Sequence, residues 1–351
     1  MATFQFKPKQ ATKRLLSVLP ERARDVIISR YGLGKNTERM TLEAIGQTYG
    51  ITRERVRQIE NYALGLIRKA DEFKAEKATF TELEGILHNL GGIVVEEDLM
   101  GHLSKDRSIQ NHINLLLVLG EPFDRRKEDE NFKHRWHIDE KLAEKVEDSL
   151  KKLFKNLKDT DLVTEGEMVS KFLEHLQEIS EKYKNQEILR RWMSLSKGIG
   201  KNAIGEWGVA HSPNIKTKGM RDYAFLVIRK HGSPIHFREV AKQIEKLFKK
   251  KAHVATTHNE LIKDPRFVLV GRGLYALSEW GYMAGVVRDV IKNILLKHGP
   301  LPKEEIIEKV LKERYVKENT IMVNLQNQKY FKKGSDGKYT AVEALVLTPA
   351  K

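Results

Sequence analysis

Arg53, Glu54, Arg57 and Gln58 stand at i, i+1, i+4 and i+5. On a helix that spacing gathers all four side chains on one side, along the first turns. Each type has a defined use against the edge of a base pair. Arg can pair bidentately with guanine, Gln can pair with adenine, and Glu can accept from the amino group of cytosine. The N-terminal end of a helix laid in the major groove is where such contacts are made. A merely solvated charged face would have the same composition, so the reading rests on what surrounds these residues.

The surrounding residues are those that would hold such a helix in place. Thr41 is placed to cap a helix over Leu42–Tyr49, Gly50 makes a sharp turn, and Thr52 caps a second helix from Arg53 to about Lys69. Gly46 is small where the two helices must cross. Leu42 and Ile45 on the first face Val56, Ile59 and Ala63 on the second, which is the packing of a helix-turn-helix. Upstream, a short helix is expected over Thr12–Leu19. Pro20 interrupts it, a second helix runs over Glu21–Tyr31, and Gly32-Leu33-Gly34 stops it.

These residues resemble region 4 of the primary bacterial sigma factors, the sigma-70 family. The resemblance rests on Leu19-Pro20-Glu21-Arg22, Tyr31-Gly32-Leu33, Thr41-Leu42-Glu43-Ala44-Ile45-Gly46 and the run Ile51–Glu60, and extends from about Lys13 to Asp71, roughly a sixth of the chain. It implies a module that reads the −35 promoter element and docks on the flap of the polymerase β subunit. By the same resemblance Arg53, Glu54, Arg57 and Gln58 match base-contacting positions. Thr41, Leu42 and Arg55 fall where phosphates are approached, and Thr52 completes the DNA-facing set. Ala44 departs from the acidic residue usual there. Sigma factors also open DNA with an aromatic-rich helical region upstream of this module. No counterpart is legible here, so the expectation is a reader that does not melt promoters by itself.

Charge agrees with a polyanionic partner. The 351 residues carry 63 Lys+Arg against 48 Asp+Glu, a formal net charge of +15. Residues 1–75 hold 15 basic and 8 acidic side chains, residues 213–351 hold 27 and 14, and residues 76–212 hold 21 and 26. The two ends are basic and the middle is slightly acidic, as though it faced something other than DNA. Cysteine is absent, which excludes thiol catalysis, disulfides and cysteine-based zinc sites. The first residues carry no apolar core of signal-peptide length, and no stretch approaches 18 apolar residues.

The rest of the chain repeats a theme. Lys230-His231-Gly232-Ser233-Pro234 recurs as Lys297-His298-Gly299-Pro300-Leu301. Each run follows an apolar helix (Asp222–Arg229, Val286–Leu296) and precedes another (Phe237–Leu247, Lys303–Leu311). A Thr-capped helix beginning near Thr256 or Thr320 comes next, then a hairpin (Arg266–Leu277, Tyr330–Val342), with Asp336-Gly337 as a turn signal. Three helices and a two-stranded ribbon make a winged helix. Two further candidates precede these. One comprises Phe80–Leu90, Glu96–Leu103, Ile109–Leu119 and the ribbon Phe123–Ile138; the other comprises Glu140–Phe154, Glu165–Leu176, Gln186–Leu195 and Ile199–Val209. Met220–Ala224, Pro234–Val240, Asp264–Val268 and Leu274–Leu277 look like the HARE-type helix-turn-helix found in the delta subunit of RNA polymerase, over about Met220–Tyr282. That resemblance implies a polymerase- or DNA-associated module without assigning contact residues. Lys249, Lys250, Lys251, Lys332 and Lys333 are candidate phosphate contacts.

Other candidate chemistry falls away on spacing. Gly198-Ile199-Gly200-Lys201-Asn202 lacks the phosphate-loop spacing and has Asn where Ser or Thr binds magnesium, so it reads as a hairpin. Gly271-Arg272-Gly273 lies between two strands, which is wrong for a dinucleotide site. His134 and His137 have no further ligand set nearby for a metal. His231 and His298 recur at matching positions, which suits a turn or cap. Trp192, Trp207 and Trp280 are assigned to small cores.

The fold expected is mainly α: an N-terminal helix-turn-helix followed by tandem winged-helix-like units, over 1–75, 78–138, 139–212, 219–282 and 284–345. The function expected is a DNA-binding transcription factor associated with bacterial RNA polymerase, cytoplasmic and at the nucleoid. It would not be an enzyme. Its partners would be double-stranded DNA and the polymerase core through the β flap, with no cofactor, metal, membrane or small-molecule substrate. The alternative is a polymerase-bound accessory or anti-initiation scaffold with little sequence-specific DNA binding.

Overall fold

The computed structural model describes residues 5–176, 179–283 and 285–342, so the limits expected at 1, 284 and 345 lie outside the described residues. Helix α1 (Pro8–Leu16) begins four residues before the expected start, with proline at its first position. The fixed φ of Pro8 suits that position, and Thr12 does not cap: its hydroxyl donates back to the Pro8 carbonyl at 3.0 Å. Helix α2 (Glu21–Tyr31) stops at Gly32, which has φ of 64°. Helices α3 (Leu42–Tyr49) and α4 (Arg53–Lys69) start on the Thr41 and Thr52 side chains, as their sequences imply.

A short α5 (Asp71–Ala75) leads into the first winged unit. Its elements are α6 (Lys77–Asn89), β1 (Ile93–Val95), α7 (Glu96–Leu103), α8 (Arg107–Leu119), β2 (Asp124–Arg126) and β3 (Arg135–His137). The second contains α9 (Glu140–Asn156), α10 (Glu165–His175), α11 (Gln186–Met193) and the hairpin β4 (Ile199–Lys201)–β5 (Trp207–Val209). Strand β3 is central in an antiparallel sheet of order β1-β3-β2, with Val94 opposite Trp136. Successive strand residues point to opposite faces. Val94 and Trp136 enter one core with residues of α1, α2, α4 and α6–α8, whereas Ile93 and Val95 enter a second with α9–α11 and Trp207. The sheet is thus covered on both faces. At the start of the central strand Arg135, 3% exposed, is compensated by Glu147 at 2.6 Å and Asp129 at 2.9 Å.

By contact density the chain forms two units, the first covering residues 1–201 and 207–210, the second 202–206 and 211–351. The second carries the sequence repeat. It contains α12 (Met220–His231), β6 (Ile235–His236), α13 (Phe237–Phe248), α14 (Val254–Lys263), β7 (Phe267–Gly271) and β8 (Leu274–Leu277). There follow α15 (Val287–His298), α16 (Lys303–Glu313), α17 (Glu318–Leu325), β9 (Phe331–Lys333) and β10 (Tyr339–Ala341). Gly232 and Gly299 end α12 and α15 with positive φ, 75° and 78°. The third helices start before the expected threonines, after His253 and Lys317. Thr257 is buried within the helix, its hydroxyl donating to the His253 carbonyl at 3.1 Å. Arg314, 2% exposed, locks the two winged units together by donating to the carbonyls of Leu269 and Gly285, each at 2.7 Å. Burial pushes its guanidinium below the ordinary range. Among the described residues the architecture is mainly helical with small antiparallel sheets, and no helix is long and apolar enough to cross a membrane.

Glu165 offers a test of how the second winged unit closes. It starts α10 and accepts from Lys201 at 2.7 Å, from Arg190 at 2.9 Å and from the Trp207 indole at 3.3 Å. The bonds from Lys201 and Arg190 hold its carboxyl down at about 2. A depressed carboxylate stabilises the fold at neutral pH, and that contribution is lost as pH falls from the ordinary value of 4.5 toward about 2. Glu165→Gln should therefore be less stable than wild type at neutral pH, and the gap should close on acidification. Urea unfolding at a series of pH values measures this; parallel pH profiles would contradict it.

Candidate nucleic-acid interface

The turn between α3 and α4 is set by contact rather than by charge. A Cβ on Gly46 would lie 2.6 Å from the Ile51 carbonyl oxygen, a backbone atom that cannot swing away. Ile51 in turn donates its N–H to the Gly46 carbonyl at 2.9 Å. Val26, Ile45 and Val56, all fully buried, form the small core between α2, α3 and α4, with Leu42 and Ile59 packed on it. Thr41 Oγ1 accepts from Ala44 N–H at 3.1 Å, and Thr52 Oγ1 accepts from Arg55 N–H at 3.2 Å. Each hydroxyl keeps its own proton to donate outward.

On the far side of α4 the charged residues line up. Arg53, Glu54, Arg55, Arg57 and Gln58 are all exposed, with Thr41 and Thr52 at the two helix starts. Leu42 is half-buried in the small core, so its backbone N–H is what it can offer a ligand. Arg57 binds Glu54 through both ends of its fork, at 2.9 and 2.7 Å, and Arg55 donates to Gln58 Oε1 at 3.0 Å. The hydrogen bond from Arg57 holds the Glu54 carboxyl below its usual range, and the reciprocal bond raises Arg57. Among the described residues Arg53 makes no ion pair. Pairs this exposed contribute little stability, so a base edge can replace them without a large penalty.

The back of α4 is held by parts of the chain that sequence reading did not connect with it. Ala63 and Ile67 lie in the larger core with α6, α7 and α8. Arg68 donates to the carbonyls of Val118 at 2.6 Å and Leu119 at 3.1 Å, at the end of α8. Asn111 of α8 donates to the carbonyls of Gly32 at 3.0 Å and Thr37 at 2.9 Å, fixing the loop that leads to Thr41. His112 lies 2.6 Å from Thr12 Oγ1. The signal was present: Asn111, His112 and Asn114 are polar residues inside the apolar run of α8, and all three are buried.

The lysine clusters belong to the second unit. Lys249 closes α13 with φ of 52°, Lys250 and Lys251 follow it, and Lys332 and Lys333 lie on β9. All five are exposed and make no ion pair among the described residues. Gly198–Asn202 lies on the β4–β5 hairpin. His231 Nδ1 is 2.9 Å from the Ser233 carbonyl, a turn contact. No group of three or more His, Asp or Glu among the described residues is placed to hold a metal ion.

Residues 15–69 match the family model described as Sigma-70, region 4, and residues 219–280 match the HARE-HTH model, an HTH domain named in part for ASXL and restriction endonuclease. Among curated proteins, RNA polymerase sigma factor RpoS of Coxiella burnetii is 49% identical over 72 residues, 20% of this chain and 20% of the relative. RNA polymerase sigma factor SigA of a Bacillus species is 41% identical over 69 residues, 20% of this chain and 18% of the relative. RNA polymerase sigma factor SigA1 of Synechococcus elongatus is 52% identical over 54 residues, 15% of this chain and 13% of the relative. The chain thus spans about a fifth or less of the length of these relatives.

Gly46→Ala should separate α3 from α4. The added methyl meets backbone, an overpacking worth about 1–3 kcal/mol, against a gain in helix propensity of about 1 kcal/mol. A net loss of stability is expected in denaturant unfolding. Unchanged stability would mean that the crossing is looser than the 2.6 Å approach implies.

Proposed function

We propose that the α3–α4 pair reads duplex DNA at a −35-like promoter element, with Arg53, Glu54, Arg57 and Gln58 facing base edges in the major groove. One observation carries this reading: these side chains form a continuous exposed strip at the N-terminal end of a helix whose opposite side is buried. Thr41, Thr52 and Arg55, with the backbone N–H of Leu42, would hold phosphates on either side. The helix starts at Leu42 and Arg53 present unsatisfied N–H groups suited to anions. The similarity of residues 15–69 to sigma region 4 supports the same assignment.

The partners of this reading are double-stranded DNA and RNA polymerase core, the latter through its β flap. The winged units would add contacts to DNA or polymerase, and Lys249, Lys250, Lys251, Lys332 and Lys333 are the proposed phosphate ligands in the second unit. The mechanism is binding without catalysis, and it reads the duplex without opening it.

Replacing Arg57 by Ala should weaken binding to a preferred site by about 1–3 kcal/mol and relax base preference at one position. Glu54→Gln frees the Arg57 fork and should change which base is preferred more than the overall affinity. Binding to a library of duplexes at fixed salt measures both. A loss uniform across all sequences would assign Arg57 to phosphate alone. Tight polymerase binding with no duplex preference would favour a polymerase-bound scaffold instead.

A further inference from the structure

A crevice of about 220 Å³ opens in the first unit, lined by Arg30, Tyr31, Arg39, Asn114, Val118 and Arg125. Its volume is several times the ~30 Å³ that one water takes in the liquid. Three guanidiniums reach it from separate stretches of chain: Arg30 from the end of α2, Arg39 from the loop before α3, and Arg125 from β2. Arg30 lies 3.4 Å from Glu60, and Arg125 pairs with Glu96 through two contacts at 2.5 and 3.0 Å. Arg39 makes no ion pair among the described residues and spends its Nε–H on Asn111 at 2.8 Å. Burial lowers Arg39 below the ordinary arginine range; Arg125 and Arg107 repel it, while Glu96 and Tyr31 oppose that repulsion.

The floor of the crevice is polar, with the Tyr31 phenol bonded to the Glu60 carboxylate and the Asn114 amide open to the crevice. Asn114 is 6% exposed and makes no side-chain hydrogen bond among the described residues. Tyr31 is 8% exposed, and burial with the neighbouring Glu60 carboxylate keeps its phenol protonated. Buried amides are normally bonded, and waters here could satisfy Asn114 while leaving Arg39 without a carboxylate partner beside the Arg125 charge. An anion would answer both. We infer that this crevice binds a small phosphorylated anion, with Arg39 and Asn114 as its chief ligands and Arg30 and Arg125 flanking them. The guanidinium fork fits phosphate oxygens bidentately. A terminal phosphate brings three acceptor oxygens and nearly two charges, more than a diester in a nucleic-acid backbone brings to three converging arginines. Occupancy would tie the loop that leads to Thr41 to α8 and β2. Such binding does not depend on what α4 reads.

Calorimetric titration of the full chain with inorganic pyrophosphate, at constant ionic strength, tests it. Wild type should show saturable one-site binding. Arg39→Gln should weaken it about tenfold, and Asn114→Ala should weaken it by a smaller factor. Arg107→Gln removes the same charge just outside the crevice and should change it by less than about twofold. Arg39 is exposed on its outer side, so its variant reports even where Asn114→Ala fails to fold, as unfolding curves will establish. Absence of saturable binding by wild type, or equal losses in Arg39→Gln and Arg107→Gln, would overturn the site. Weakened duplex binding by Arg39→Gln without pyrophosphate binding would also overturn it, and would make the crevice a backbone contact.

Discussion

Helix α4 belongs to two cores at once. Its first turns close the small core through Val56, and its last turns enter the large one through Ala63 and Ile67, with Ile59 packed against both. A helix pinned along its length in this way cannot roll without disturbing both cores. Side chains opposite the buried stripe therefore point in one fixed direction, which is the requirement for a surface that must match another in register. The caps, the glycine at the crossing and the contacts from α8 all serve that one constraint.

Local features were the legible ones. Thr41, Gly50 and Thr52 mark helix ends by mechanisms that act within four residues, and α3 starts and stops, and α4 starts, where those residues place them. The charged strip was legible for the same reason, being a matter of helical spacing. The helix expected over Thr12–Leu19 begins instead at Pro8, whose fixed φ suits the first helical position. Thr256 and Thr320 misled, since a threonine inside a helix can bond its own backbone.

Long-range pairings were not legible. Asn111 reaches Gly32 across 79 residues, and Arg68 reaches Leu119 across 51. No periodicity announces such contacts. The clue was negative: polar residues interrupting an apolar helix must find partners, but their identity depends on the tertiary fold. The arginine crevice was hidden for the same reason. Its three guanidiniums come from segments that are individually ordinary, and only the packing of α8 against the N-terminal helices brings them together.

The alternation of β1 and β3 carries one more consequence. Val94 and Trp136 face the core shared with the N-terminal helices, and Ile93 and Val95 face the next. The match to the sigma region 4 model ends at residue 69, but the buried surface that stretch depends on continues to Trp136. The matched stretch and the unit of folding are thus different lengths of chain. Excising the former alone would leave the back of α4 bare, so its orientation here is a property acquired from its neighbours rather than one it carries with it.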